Sequence, residues 1–146
     1  MSLAAIIAQC VTVAGDISGI GVIHNHEYVT SQRSTLEANF MTGGVINCLE
    51  IDRERTPARR RTNVQTEREH RIMFRFYYSA QEGDGSRATF RALVEAAEAT
   101  FRPIYNLNGL ALRNGPFEVQ LDAYISKAGL TLHYAECAMD VVELVT

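Results

Sequence analysis

Apolar side chains recur with helical spacing near the N-terminus and again after the middle of the chain. The first stripe has the i, i+3, i+4, i+7 spacing of an amphipathic helix and comprises Leu3, Ile6, Ile7, Cys10, Val11 and Ala14. The second comprises Phe90, Leu93, Val94, Ala97 and Phe101. Ser86 is the predicted N-cap of this second helix, and Pro103 ends it. The capping-box spacing of Ser34 and Glu37 predicts a shorter helix over 34–41.

Alternating apolar and polar residues predict strands over 45–55, 69–78, 117–125 and 130–145. The clearest alternation places five side chains on a single face: His70, Ile72, Phe74, Phe76 and Tyr78. The glycine-punctuated segment 19–30 predicts irregular structure with room for one short strand. The sequence thus predicts one α+β domain over 1–146, in which an antiparallel sheet of about four strands packs against two helices.

The last predicted strand, 130–145, is apolar on both faces and far exceeds the usual length of about five or six residues. Its final apolar side chains are Met139, Val141, Val142 and Val145. A second subunit would cover the extra apolar face or edge, which makes these four residues candidates for an inter-subunit strand. A bulge that exchanges the two faces midway would instead bury the strand within one chain. Both explanations stay open at this point.

The segment of about 54–68 contains few apolar residues and should project from the sheet as a polar hairpin arm. Five arginines lie around its first half: Arg53, Arg55, Arg59, Arg60 and Arg61. Such a cluster favours contact with phosphate or with an acidic protein surface, such as a neighbouring subunit or a partner. Protein is the favoured target because no aromatic residues alternate with the arginines, as binding to single-stranded nucleic acid would favour. A solvated loop, partly neutralised by nearby carboxylates, is the alternative.

Composition supports a single globular domain. The chain has 146 residues, of which 47% are hydrophobic, and its net charge of −3 comes from 14 basic and 17 acidic side chains. A domain-wide nucleic-acid surface would need a clear basic excess, which is lacking. The three cysteines, Cys10, Cys48 and Cys137, are widely spaced in apolar runs and predict buried free thiols in a reducing compartment. No stretch is long and apolar enough to predict a membrane span.

The motif His24-Asn25-His26 is the best candidate for metal chemistry. Two histidines two residues apart on a strand would point to the same side, but no third ligand with suitable spacing accompanies them, so surface histidines are the favoured interpretation. His70 and His133 lie in predicted strands, where a partly buried histidine bonded to a neighbour is expected. No nucleophile motif, phosphate loop or metal motif appears, so we predict no enzyme activity, no catalytic residue, no metal and no cofactor.

The order of elements resembles that of tail terminator and tail-completion proteins of tailed bacteriophages. The resemblance covers about residues 40–146 and rests on four segments: 45–53, 70–78, 89–103 and 133–143. It implies a structural virion protein that assembles as a homohexameric ring, made in the host cytoplasm and located at the head-proximal end of the tail. One face of the ring would cap the tail tube protein, and the other would join the head–tail connector protein.

DNA would pass through the lumen of such a ring without specific binding, which suits the nearly balanced charge. A neck or head-completion protein is an alternative within the same class, because both kinds form small rings at the same junction. Two alternatives come from other classes: a small monomeric adaptor module, and a metal-dependent enzyme built on His24 and His26.

Overall fold

The computed structural model describes residues 3–27, 32–54, 59–60, 66–80, 85–111 and 113–145. Three helices lie in this part of the chain: α1 (Leu3–Ala14), α2 (Arg33–Phe40) and α3 (Ser86–Phe101). Five strands have three or more residues: β1 (Val22–His24), β3 (Val45–Arg53), β5 (Thr66–Ser79), β7 (Glu118–Lys127) and β8 (Leu130–Val145). The remaining strands have two residues each: β2 (Met41–Thr42), β4 (Arg59–Arg60) and β6 (Arg113–Asn114).

All of these strands belong to one curled sheet that forms a half-barrel. Its central order is β1-β3-β5-β8, and β7 and β6 pair with successive parts of the far side of β8. β1 runs parallel to β3, whereas the other pairs are antiparallel. The two long strands, β5 and β8, pair without a register shift from Thr66 opposite Val145 to Ser79 opposite Leu132.

The predicted architecture, an antiparallel sheet of about four strands against two helices, is wrong. The sheet is mixed and has more strands, and the described part of the chain has three helices. The difference arises in the segment after α1, where β1 pairs in parallel with β3 and the connection between them contains α2. Because this strand is three residues long and follows two glycines, its sequence carries little strand signal, and its partner could not be predicted from local pattern.

Helices cover both faces of the sheet. On one face, here called the helix face, α1 and α3 pack on side chains that include Leu49, Phe74 and Cys137. The predicted apolar stripe of α3 is confirmed, since all five of its residues are buried. On the second face, α2 buries Leu36 and Phe40 against a smaller cluster that contains Ile46, Cys48, Tyr77, Leu132 and Tyr134. Each long strand can therefore be apolar on both faces without exposing that surface.

The long last strand is confirmed with its predicted bounds, and it is buried within one chain. Met139, Val141 and Val142 are 1%, 0% and 4% exposed, so their burial needs no second subunit. Val145 pairs with Thr66, but its side chain lies outside the described part. The bulge proposed for this strand is found instead in its neighbour β7, between Val119 and Leu121.

Ser86 is not the N-cap of α3. Gly85 takes that position, and Ser86 is the first helical residue, with its hydroxyl 2.9 Å from Nε2 of His133. All three cysteines are buried and free. Among the described helices, none has the length and apolar character needed to cross a membrane.

Candidate functional site

Strand β7 forms an open edge of the sheet. It is ten residues long and pairs with β8 on one side, and no described strand pairs with its other side. Residues 118–122 are exposed without interruption, although a strand packed on one face should alternate between buried and exposed side chains. A long strand edge with free N–H and C=O groups is a template for pairing with another chain. We call residues 118–127 the β7 edge.

Apolar side chains project from the β7 edge. Val119, Leu121 and Tyr124 are 38%, 44% and 61% exposed, which makes them three of the five exposed large hydrophobic residues in the described chain. The bulge after Val119 puts this residue and Tyr124 on the helix face and Leu121 on the second face. Apolar groups thus flank the edge on both sides, as in a surface that becomes covered on association.

The β7 edge is held firmly to α3. Arg87 at the start of that helix donates two hydrogen bonds to Asp122, of 2.7 and 2.9 Å. This bidentate pairing raises the pKa of Arg87, chiefly through its hydrogen bond with the carboxylate. The ring of Tyr124 lies 4.8 Å from that of His133, which in turn stacks on Phe90 at 5.5 Å. The edge is therefore preorganised, so its association would require little ordering of side chains.

One cross-strand row links the β7 edge to the opposite flank of the sheet. In this row Tyr124 lies opposite His133, His133 opposite Tyr78, and Tyr78 opposite Asn47. All four side chains belong to the helix face. The row continues to Gly21. A Cβ atom, if a side chain were introduced at this position, would lie only 2.8 Å from Cγ of Asn47. An exposed tyrosine therefore stands at one end of the row, and a glycine without a side chain stands at the other.

A groove of about 340 Å³ opens at the glycine end of this row. We call it the α3 groove; its lining includes Ser18, Gly19, Asn47, Tyr78, Ala92 and Ala96. Asn47 is 9% exposed and donates through Nδ2 to the carbonyl oxygen of Gly19, at 2.9 Å. Its buried Oδ1 has no hydrogen-bond partner among the described residues. The groove is thus mainly lined by small residues, with a few polar groups at its wall.

The predicted arm lies mostly outside the described residues. Arg53 is the half-buried last residue of β3, and the backbones of Arg59 and Arg60 form β4, opposite Glu69 and Arg68 of β5. Arg55 and Arg61 lie outside the described residues. The contact role of the arginines therefore stays a prediction.

The two histidines of the His24-Asn25-His26 motif lie close together, with ring centroids 6.1 Å apart. His24 Nε2 is 2.7 Å from the carbonyl oxygen of Asn39, to which it donates, so this nitrogen is not available to a metal, whereas Nδ1 is not engaged by this bond. In the described chain, no group of three or more His, Cys, Asp or Glu side chains is placed to hold a metal ion.

The predicted bonding of the other two histidines is confirmed, although both are fully rather than partly buried. His133 is 1% exposed and contacts Ser86, and His70 is 3% exposed and lies 3.0 Å from Glu143. Neither contact opens into the α3 groove.

Sequence reasoning predicted a strand over 117–125 but did not identify it as an exposed edge. The alternation of Glu118, Gln120 and Asp122 with Val119 and Leu121 has the same appearance as a strand that is covered on one side. Only the strand order shows that no described neighbour covers it. In comparisons with known proteins, no protein-family model and no curated protein matches the chain.

Proposed function

We propose that the protein is a structural component of tailed-phage particles, which forms a ring and caps the tail tube at its head-proximal end. The β7 edge carries the assembly part of this proposal, because its outer backbone pairs with no described strand and apolar side chains are exposed on both of its faces. The place of the ring in the particle rests on the resemblance of residues 40–146 to tail terminators.

A ring requires each subunit to present two different surfaces, because a contact between identical patches closes a dimer instead. The β7 edge supplies one surface, and the opposite flank of the sheet, with β1 and the α3 groove, supplies a different one. The Arg87–Asp122 hydrogen bonds and the contact of Tyr124 with His133 hold β7 in place within one chain, so two folded chains can dock with little change of backbone.

The neck-protein alternative uses the same surfaces and differs only in its partners, namely a head connector without a tail tube. No observed feature favours the adaptor or the metal-dependent enzyme over assembly.

Solution mass tests the assembly part of the proposal. Light scattering coupled to size exclusion should give a mass that rises with concentration toward a closed ring. Leu121→Lys should weaken association about tenfold or more, because a charge would be buried at the contact. Tyr105→Lys is the matched control, since Tyr105 is 72% exposed and lies outside the β7 edge. Equal weakening by both variants, or a wild-type monomer at every concentration, would contradict a role for the edge.

The location in the particle needs a separate test. Purified protein should bind the end of polymerised tail tubes and stop their further growth, as seen by electron microscopy. A protein that oligomerises but binds only a head connector would be assigned to the neck instead.

A further inference from the structure

We propose that the α3 groove receives the side chain of Tyr124 from the next copy of this chain. This inference rests on the proposed function, because it names the two surfaces that meet between neighbours in the ring. It makes the contact head-to-tail, with a projecting side chain on one flank of the subunit and its receptor on the other.

The first argument is alignment. Tyr124 and Asn47 belong to the same cross-strand row on the helix face, at opposite flanks of the sheet. Three strand spacings separate them, about 14 Å at the usual spacing. Tyr124 therefore cannot enter the groove of its own chain. When a second copy is placed beside the first along the row, its Tyr124 arrives at the level of the first copy's groove.

The second argument is size and chemistry. A groove of about 340 Å³ lies near the lower end of the range for small-molecule sites and suits a single aromatic side chain. Small residues, Ala92 and Ala96 among them, line the helix wall and leave space for a flat ring. The hydroxyl of a tyrosine needs a polar partner when it is buried. The lining residues with polar side chains are Ser18, Asn47, Tyr78 and Thr89.

The third argument is the state of Asn47. This residue is 9% exposed, and its Oδ1 has no hydrogen-bond partner among the described residues. A buried amide oxygen without a partner costs about 1–3 kcal/mol. Oδ1 is covered by its own chain, so it can accept a hydrogen bond from the phenol O–H of a neighbour's Tyr124 only if the Asn47 side chain turns toward the groove on docking.

The docked residue is exposed and fixed in position. Tyr124 is 61% exposed, so most of its surface is available for burial, while its contact with the ring of His133 holds it in place. An aromatic residue that inserts into a pocket of its partner is the usual centre of a protein interface. The proposed pairing therefore adds a specific anchor to the less specific pairing of the β7 edge.

The experiment uses two variants that each destroy one of the two surfaces. Tyr124→Ser removes the projecting side chain, and Ala92→Phe fills the groove from an exposed position on α3. Ala99→Phe is the matched control, because it adds the same ring to the same helix at an exposed position outside the lining. Circular dichroism and thermal unfolding establish that each variant is folded before its mass is measured.

Each variant alone should associate at least tenfold more weakly than the wild type, whereas Ala99→Phe should assemble normally. An equimolar mixture of Tyr124→Ser and Ala92→Phe should form dimers that grow no further. In this mixture the intact groove of the Tyr124→Ser variant can receive the intact tyrosine of the Ala92→Phe variant. The other two surfaces of the resulting dimer carry the substitutions, so no further copy can bind to it. A monomeric wild type would overturn the proposed function itself. A wild-type ring that Ala92→Phe leaves unchanged would overturn only the docking of Tyr124.

Discussion

His70 and Glu143 form a buried pair on the helix face, with Nε2 and Oε1 3.0 Å apart and side chains only 4% and 5% exposed. They lie on β5 and β8, 73 residues apart in the chain. The histidine Nε2–H donates to the carboxylate. Nδ1 of His70 and Oε2 of Glu143 are buried and have no hydrogen-bond partner among the described residues. Each of the two side chains therefore has the other as its hydrogen-bond partner within the apolar core, and each keeps one buried polar atom without a partner among the described residues.

Removing either partner should destabilise the fold more than removing both. His70→Leu or Glu143→Leu alone leaves a buried polar group unpaired, which should lower the free energy of unfolding by about 3–5 kcal/mol. The double variant should recover most of that loss, because two apolar side chains leave nothing unpaired. Urea denaturation of the four proteins gives the coupling energy directly. Additive losses would show that the two side chains do not act as a pair.

Stability should fall in alkaline solution. Burial raises the pKa of Cys10 and of Cys137 to about 12, and it also raises the pKa of Tyr134, whose hydroxyl donates to Glu136. In the unfolded chain these groups titrate near their ordinary pKa of about 9 for cysteine and 10 for tyrosine. Their folded pKa values are higher, so the stability they contribute is complete below about pH 9 and is lost as the pH rises toward 12.

The loss should reach about 1.4 kcal/mol per pH unit for each group that titrates only in the unfolded chain. Urea denaturation between pH 8 and 11 measures it. Cys137→Ala should give a shallower slope above pH 9 than the wild type, because one titrating thiol is absent. An unfolding free energy that stays constant up to pH 11 would contradict this prediction.

Gly21 should tolerate no side chain. A Cβ at this position would lie 2.8 Å from Cγ of Asn47 and 2.9 Å from its carbonyl carbon. Since backbone cannot move aside cheaply, Gly21→Ala should lower the free energy of unfolding by about 1–3 kcal/mol. Gly85→Ala is the control, because its φ of −83° suits alanine and no atom lies within 4 Å of the added Cβ. The control should stay within about 1 kcal/mol of the wild type.

Local periodicity predicted the elements that bury one continuous face. The alternation in 69–78 identified the face of β5 that packs on the helices, and the stripe of α3 identified the helix that covers it. The bounds of β8 were also predicted, because Gly129, with a φ of 79°, ends the preceding turn and an apolar run follows it. In these segments the side chains themselves specify which surface must leave water.

Long-range pairing could not be predicted in the same way. The parallel contact of β1 with β3 depends on tertiary packing, since Val22, Ile23 and His24 alone do not distinguish a strand from a loop. The His70–Glu143 pair depends on the register of two strands, and the open edge at β7 depends on the strand order. The sequence contained the residues of the candidate site but no signal for which of them would meet.

The arginine arm should contribute to assembly and not to folding. Replacement of Arg59, Arg60 and Arg61 by alanine removes three positive charges from the arm, in which the backbones of Arg59 and Arg60 pair with Glu69 and Arg68. If the arm contacts a neighbouring subunit or an adjoining ring, the variant should keep its thermal unfolding temperature within a few degrees and associate more weakly, most clearly at low salt. The control triple variant Arg33→Ala, Arg91→Ala and Arg102→Ala changes the charge equally at exposed positions on or next to α2 and α3. An effect of total charge alone would weaken the association of both variants alike. Weaker association of the arm variant only would therefore assign the effect to the arm. Unchanged association of the arm variant would exclude the arm from the interface.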